Sequence, residues 1–255
     1  MNDWNIERGQ VSGVLLIWAH RGASAHAPEN TLIAFREAKR QGADGIELDV
    51  HPTRDGRLVV IHDITVQRTT QGFGHVADFT LAELRTLDAG YKFSPQFSGE
   101  RIPTLQEVLE FSRGANLLVN IEIKTGPGAY AGIEQAVVRE IHSAAMLANV
   151  VVSSFQPDVL ARMKILDPSV ETALLSGDLQ GPSPQQAKAI GASAIHPSFR
   201  SISPPFLHHA FRLGLAVRPY TVNDERAMQR LAAWGVQGII TDDPRKARRS
   251  LGGTD

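Results

Sequence analysis

Cysteine, an excess of charge and long apolar segments are all missing from this 255-residue sequence, and each absence excludes a class of protein or site. The lack of cysteine excludes a disulfide-stabilised scaffold, a thiolate zinc site and a cysteine nucleophile. The charges nearly balance, because 26 Lys and Arg face 27 Asp and Glu, for a formal net charge of -1. This balance argues against a globally basic protein that binds nucleic acid.

The only apolar segment near the N-terminus runs from Val14 to Ala19. It is far shorter than the roughly 20 residues that a membrane span requires. Asp3 and Glu7 offset Arg8 ahead of it, so the basic region of a signal peptide is lacking. We therefore expect a cytoplasmic protein with no stable membrane insertion, whose oligomeric state the sequence leaves open.

Short apolar segments typical of buried strands alternate with helical segments along the chain. Eight segments have strand character: Val14–Ala19, Gly45–Val50, Leu117–Ile123, Val150–Phe155, Glu171–Leu175, Ser193–His196, Leu215–Tyr220 and Gly238–Thr241. Five others have the apolar spacing of amphipathic helices: Thr31–Arg40, Ile133–Ala145, Pro157–Leu166, Pro204–Leu213 and Glu225–Trp234. Such alternation produces right-handed βαβ crossovers and a parallel sheet. At this length we predict an α/β fold, a (β/α)8 TIM barrel forming a single domain over residues 1–255.

The chain between the second and third predicted barrel strands departs from this alternation. Asp55-Gly56 is a hairpin-turn signal, and Leu58–His62 is an additional apolar segment after it, which predicts a ribbon. The segment from Asp63 to Asn116 is longer than one crossover helix requires. We therefore expect an insertion after the second strand, with a small inserted subdomain within about residues 63–116.

Charged residues cluster where three of the predicted strands end, which is where TIM barrels carry their catalytic groups. Because side chains alternate along a strand, Glu47 and Asp49 project from one face, as do Glu122 and Lys124. Three carboxylates facing one barrel axis would repel each other strongly without a cation among them. Oxygen ligands suit a hard cation such as Mg²⁺ or Ca²⁺ rather than zinc. We predict that Glu47, Asp49 and Glu122 bind one divalent cation.

Histidine and basic residues at the same strand ends indicate phosphoryl chemistry. His20 and His62 could act as base and acid, because imidazole titrates near neutrality. Arg21 can donate to two phosphate oxygens, and Lys124 adds a point charge. Each residue taken singly could be a structural ion pair or a hydrogen-bonded core residue. Burying so much charge together is costly unless it is compensated, which favours function, and the set predicts phosphodiester cleavage.

These residues lie within motifs that resemble the glycerophosphodiester phosphodiesterase family, over about residues 18 to 246. The matching motifs are His20-Arg21-Gly22, Pro28-Glu29-Asn30-Thr31, Gly42–Val50, Val60-Ile61-His62-Asp63, Arg68–Gly72, Ile102–Leu105, Asn120–Lys124, Ser154-Phe155, Tyr220–Asn223 and Gly238–Pro244. The His-Arg-Gly motif alone is weak, whereas the ordered set is highly specific.

The resemblance implies a TIM barrel enzyme that hydrolyses glycerophosphodiesters, such as glycerophosphocholine or glycerophosphoethanolamine, to sn-glycerol 3-phosphate and an alcohol. It implies the same roles for the charged residues: one divalent metal on Glu47, Asp49 and Glu122, acid/base catalysis by His20 and His62, and phosphate contacts from Arg21 and Lys124. One position departs from the family, which usually carries Trp where this sequence has Tyr220. A tyrosine keeps an aromatic wall for the glycerol carbons and adds a hydroxyl.

Several alternatives remain open at this stage. A phospholipase D-like lyase could form cyclic phosphates on the same barrel, although that class is usually extracellular and disulfide-bonded. Lys124 could form a Schiff base in an aldolase-like barrel, but three neighbouring carboxylates favour a charged ammonium. A non-catalytic binding barrel would be expected to lack some of these residues. Two further residues each have two interpretations. Glu29 could belong to the structure at the start of the first helix, or it could orient His20 or Arg21. Asp242 could bind a substrate hydroxyl, or it could cap a helix.

Overall fold

The structure is a computed structural model that describes residues 15–125, 130–177 and 183–252. Within these ranges the strands are β1 (Leu16–His20), β2 (Gly45–Pro52), β3 (Leu58–Val60), β4 (Leu118–Ile123), β5 (Val150–Ser154), β6 (Glu171–Ser176), β7 (Ala194–Pro197), β8 (Ala216–Val217) and β9 (Gly238–Thr241). The α-helices are α1 (Leu32–Arg40), α2 (Leu81–Leu84), α3 (Leu105–Ala115), α4 (Ile133–Ser143), α5 (Pro157–Leu166), α6 (Pro184–Ala189), α7 (Pro204–Arg212), α8 (Glu225–Ala233) and α9 (Pro244–Ser250).

Eight of these strands form a parallel barrel in the order β8-β7-β6-β5-β4-β2-β1-β9. Backbone hydrogen bonds join the two end strands, since Gln237 N donates to Val217 O (3.1 Å) and Ile240 N donates to Pro219 O (2.9 Å). The predicted (β/α)8 barrel is confirmed.

Alternation along the strands sorts the side chains into two groups. In β2, Ile46 and Leu48 join the apolar layer beneath the helices, so Glu47 and Asp49 face the barrel interior. The parallel register places His20 beside Glu47 and Asp49 beside Glu122. The inward charged residues therefore collect at the carboxyl end of the barrel, as strand parity predicts.

The insertion begins with β3, which pairs antiparallel with β2 through Val50↔Val60 and Pro52↔Leu58. Gly56 turns the chain between them with a φ of +74°, a conformation that glycine adopts without strain. A separate small core holds the following segment: Val59, Ile61, Val66, Val76, Leu84, Ala89 and Ile102. This ribbon and its core carry His62 and Asp63 to the rim of the barrel.

No helix in the described ranges has both the length and the apolar character that a bilayer crossing requires.

Candidate active site

Three carboxylates lie together at the carboxyl end of the barrel. One oxygen each from Glu47, Asp49 and Glu122 can be chosen so that all lie within 4.8 Å of one another, and all three residues are buried. Burial raises the pKa of Glu47 well above its usual range, and repulsion from Asp49 and Glu122 adds to this. Burial and repulsion from Asp49 raise the pKa of Glu122 to about 7. Burial and mutual repulsion therefore disfavour the ionisation of all three carboxylates together unless a cation lies among them.

Asp49 is the carboxylate that stays ionised. Burial alone would raise the pKa of Asp49, but the charges of Lys124 and Arg21 outweigh it and hold that pKa below its usual range. Asn30 Nδ2 donates to Asp49 Oδ2 at 2.8 Å. Asp49 Oδ1 is buried without a hydrogen bond, because the Lys124 ammonium, 3.2 Å away, lacks hydrogen-bond geometry. A buried anionic oxygen without a donor, beside two further carboxylates, fits a hard divalent cation.

Two basic residues flank the carboxylates. Lys124 Nζ lies 2.6 Å from Glu122 Oε1. Arg21 follows β1 with a φ of +55°, and its backbone N donates to Glu47 Oε2 at 3.0 Å. The Arg21 guanidinium donates from Nη1 to Glu29 Oε1 at 2.9 Å, which supports the interpretation of Glu29 as a partner of Arg21. Although burial opposes it, the charge of Asp49 raises the pKa of both Lys124 and Arg21, so both stay cationic.

His20 lies at the end of β1, and its ring is held by Asp242 at the end of β9. His20 Nδ1 is 2.7 Å from Asp242 Oδ1. Ser24 Oγ donates to the same oxygen at 3.0 Å, and Asn223 Nδ2 donates to Asp242 Oδ2 at 2.5 Å. Asp242 is thus a partner of His20, while Asp243 caps α9. A carboxylate on Nδ1 fixes the ring and leaves Nε2 for proton exchange.

The ring of His62 is likewise held by a carboxylate. His62 Nδ1 lies 2.6 Å from Oδ1 of the next residue, Asp63. The buried ring of His51 lies with Nε2 3.1 Å from the His62 carbonyl, which holds the backbone of the ribbon. Burial lowers the pKa of His62, and the cations Arg21 and Lys124 add to this. This shift favours the neutral form of the His62 ring.

Both histidines line one cavity of about 140 Å³, together with Glu47, Glu122 and Lys124. Leu175, Phe155 and Tyr220 form its apolar wall. Tyr220 contacts the Phe155 ring edge-to-face, with centroids 6.2 Å apart, and its hydroxyl donates to Ser176 O at 3.1 Å. A second cavity of about 330 Å³ shares His62, Glu122, Lys124 and Phe155 with the first.

The structure thus brings together all eight residues singled out from the sequence: His20, Arg21, Glu47, Asp49, His62, Glu122, Lys124 and Tyr220. The sequence reasoning did not identify Asp63 and Asp242 as partners of the two histidines. Asp63 directly follows His62, and Asp242 lies at the end of a predicted strand. Their places in the sequence could therefore have indicated that they lie near the histidines. Arg68 lies in one of the matching motifs but was given no role, and the structure shows that it contacts Asp63 and Glu29.

Comparison with known sequences gives a match over nearly the whole chain. Residues 20–246 match the model of the Glycerophosphoryl diester phosphodiesterase family. A glycerophosphodiester phosphodiesterase of Caldanaerobacter subterraneus subsp. tengcongensis is 45% identical over 229 residues, covering 90% of this chain and 94% of the relative.

Comparison with solved structures agrees. A glycerophosphodiester phosphodiesterase from Agrobacterium tumefaciens superposes with a TM-score of 0.82 and 31% identity, covering 92% of this chain and 100% of the other. A phosphodiesterase from Oleispira antarctica, solved in complex with the product sn-glycerol-3-phosphate, has a TM-score of 0.83 and 27% identity, covering 92% and 96%.

Proposed function

Because the chain belongs to the glycerophosphoryl diester phosphodiesterase family, we propose that it cleaves its substrate by a metal-dependent mechanism with two catalytic histidines. The activity itself is that of a glycerophosphodiester phosphodiesterase. The substrates proposed are glycerophosphodiesters such as glycerophosphocholine and glycerophosphoethanolamine, and the products are sn-glycerol 3-phosphate and the free alcohol. The observation that supports this proposal most directly is one cavity lined by two histidines, each with a carboxylate on Nδ1, next to three buried carboxylates.

Glu47, Asp49 and Glu122 would hold one divalent cation, Mg²⁺ or Ca²⁺. When bound, the cation supplies Lewis-acid polarisation of phosphoryl oxygens and neutralises developing charge. The unbonded oxygen of Asp49 and the raised pKa values of Glu47 and Glu122 support this assignment. A cation at this position allows all three carboxylates to ionise together.

Arg21 and Lys124 would bind the phosphate of the substrate. The Arg21 guanidinium is braced by Glu29, and a braced fork can donate to two phosphate oxygens without losing further side-chain entropy. Lys124 adds a point charge, because the neighbouring Asp49 and Glu122 keep its ammonium protonated.

His20 and His62 would exchange protons with the entering and leaving oxygens through Nε2, since a carboxylate engages Nδ1 in each ring. Neutral His62 can accept a proton in the step in which His20 donates one, and the roles reverse if the substrate binds in the opposite sense. Tyr220 and Leu175 would pack against the glycerol carbons, and the 330 Å³ cavity offers room for the alcohol.

Release of glycerol 3-phosphate from glycerophosphocholine tests the proposal. We expect turnover to disappear after exhaustive chelation and return with Mg²⁺ or Ca²⁺. His20→Ala and His62→Ala should each lower kcat about 10²- to 10⁴-fold. His142→Ala is the matched control, because His142 also lies 2.7 Å from a carboxylate, Asp167, but is exposed and remote from the site. Undiminished turnover in the chelated protein or in His20→Ala would refute the metal or histidine assignment.

Product analysis separates hydrolysis from the lyase alternative. We expect ³¹P NMR to show glycerol 3-phosphate as the final product, whereas a persistent cyclic phosphate would indicate the lyase. The single-domain division over 1–255, the inserted subdomain within about 63–116 and the cytoplasmic location remain predictions.

A further inference from the structure

Arg68 lies in the insertion, and its guanidinium joins two carboxylates that are far apart in sequence. Nη1 and Nη2 donate to Glu29 Oε2 and Oε1 at 2.6 and 2.8 Å. Nε donates to Asp63 Oδ2 at 2.7 Å, and Nη2 lies 3.2 Å from Asp63 Oδ1. A planar fork with five donors can contact both oxygens of each carboxylate at once, whereas an ammonium group has only three donors on a single atom.

Each of these carboxylates contacts a residue of the proposed active site. Asp63 Oδ1 lies 2.6 Å from His62 Nδ1, and Glu29 Oε1 accepts from Arg21 Nη1 at 2.9 Å. A continuous chain of charged hydrogen bonds therefore runs from the ring of His62 through Arg68 to the guanidinium of Arg21. This chain of hydrogen bonds links the insertion to the residue that follows β1.

We propose that Arg68 is a positioning residue that fixes the acid/base ring of His62 and the phosphate fork of Arg21 relative to each other. The inference rests on the proposed function of those two residues. His62 belongs to the ribbon and Arg21 follows β1, so their separation depends on how the insertion sits on the barrel. Arg68 fixes that separation by holding both orienting carboxylates at once.

A purely structural role is the competing explanation, and the insertion offers a matched control for it. Arg54 ties the β2–β3 turn to the insertion through Glu83, with Nη2 3.0 and 3.2 Å from the two carboxylate oxygens. Arg54 also donates to Asp78 O at 2.7 Å, and its side chain is 56% exposed against 45% for Arg68. Arg54→Gln thus removes a comparable pair from the same segment without touching the site.

Steady-state kinetics on Arg68→Gln, Arg68→Lys and Arg54→Gln test the proposal, with thermal unfolding recorded for each. We expect Arg68→Gln to lower kcat about 10- to 100-fold, the usual effect of losing a residue that orients a site residue. Arg68→Lys should recover only a small part of this loss. Arg54→Gln should keep kcat within about twofold, although it too removes an ion pair of the insertion and lowers the melting temperature.

Double variants show whether the effect passes through the two carboxylates. In an Asp63→Asn background, Arg68→Gln should have little further effect on kcat. In a Glu29→Gln background it should have little further effect on KM for glycerophosphocholine, because Arg21 is already released. Full, additive losses in both backgrounds would overturn the proposal, as would equal kcat values for Arg68→Gln and Arg54→Gln.

A signature that needs no turnover separates this inference from the proposed function. In ¹⁵N-histidine NMR, the His62 ring, assigned by its loss in His62→Ala, should shift in Arg68→Gln and stay unchanged in Arg54→Gln. An unshifted ring in Arg68→Gln would overturn the positioning role even if the enzyme is active. The converse outcome is a His62 ring that shifts in Arg68→Gln while His62→Ala keeps full turnover. That result would support the positioning role of Arg68 and refute the proposed catalytic role of His62.

Discussion

Replacing Glu122 with glutamine should stabilise the metal-free protein at pH 8 and remove most of its response to divalent cations. Glu122 is buried, and burial with repulsion from Asp49 raises the pKa of its carboxyl from 4.5 to about 7. Because the folded protein holds this proton more tightly than the unfolded chain does, its stability falls as pH rises from about 4.5 to about 7. Glutamine keeps the shape of the protonated group and cannot ionise.

The magnitude follows from the size of the shift. A difference of about 2.5 pKa units at about 1.4 kcal/mol per unit gives between about 3 and 4 kcal/mol, as an upper bound on the gain at pH 8. For a domain of this size, each kcal/mol moves the melting temperature by about 2–4 °C, so Glu122→Gln should melt above wild type, by about 16 °C at most. At pH 4.5 the two proteins should melt within a few degrees of each other.

The same melting assay measures the response to metal. At a Mg²⁺ or Ca²⁺ concentration 100 times the Kd, wild type should gain about 2.7 kcal/mol. Glu122→Gln should lose most of that gain, because a carboxylate ligand becomes a neutral amide. Glu140→Gln is the matched control: burial raises the pKa of Glu140 to about 7 as well, and Glu140 lies on α4, outside the carboxylate triad. Glu140→Gln should gain stability at pH 8 and keep the full metal response.

Two results would refute this reasoning. The first is a lower melting temperature for metal-free Glu122→Gln at pH 8, which would show that the ion pair with Lys124 outweighs burial and repulsion. The second is a full metal-induced shift in Glu122→Gln, which would place the cation elsewhere.

Two further perturbations test other parts of the fold and site. Asp242→Asn should lower kcat about 10- to 100-fold in steady-state assays, since the ring of His20 loses its carboxylate, whereas Asp167→Asn beside exposed His142 should not. Gly22→Ala should cost about 2–4 kcal/mol in urea unfolding, because glycine has a φ of +85° there and a Cβ would lie 2.7 Å from Ala34. Gly114→Ala, in α3 with open space around it, should instead stabilise the protein by about 0.5–1 kcal/mol, and a loss at Gly114 would contradict this account.

The barrel and the carboxylate cluster could be predicted because both depend on short periodicities. Strand parity places Glu47 and Asp49 on one face whatever the rest of the chain does, and parallel pairing brings Glu122 beside Asp49. The hairpin turn at Asp55-Gly56 similarly determines the ribbon that carries His62. These relations span a few residues or one pairing register, which a sequence pattern can reveal.

The orienting contacts could not be predicted because they depend on how distant segments pack. Asp242 is more than 200 residues from His20, and Arg68 reaches Glu29 across the gap between the insertion and the barrel. Asp242 at the end of β9 was open to a substrate or capping role, and only the structure shows that Asp243 caps α9 instead. The resemblance places Arg68 within a motif, but no sequence pattern shows which carboxylates an arginine in a long insertion will contact.

The charged groups around the candidate site do not balance one another. Six carboxylates face three permanent cations, which leaves a formal charge of -3; these residues are Glu29, Glu47, Asp49, Asp63, Glu122 and Asp242, with Arg21, Arg68 and Lys124. A divalent cation bound at the proposed site would reduce this imbalance to -1. Burial raises the pKa of both Glu47 and Glu122, so a cation bound at the proposed site would favour their ionised forms, and its binding would release protons.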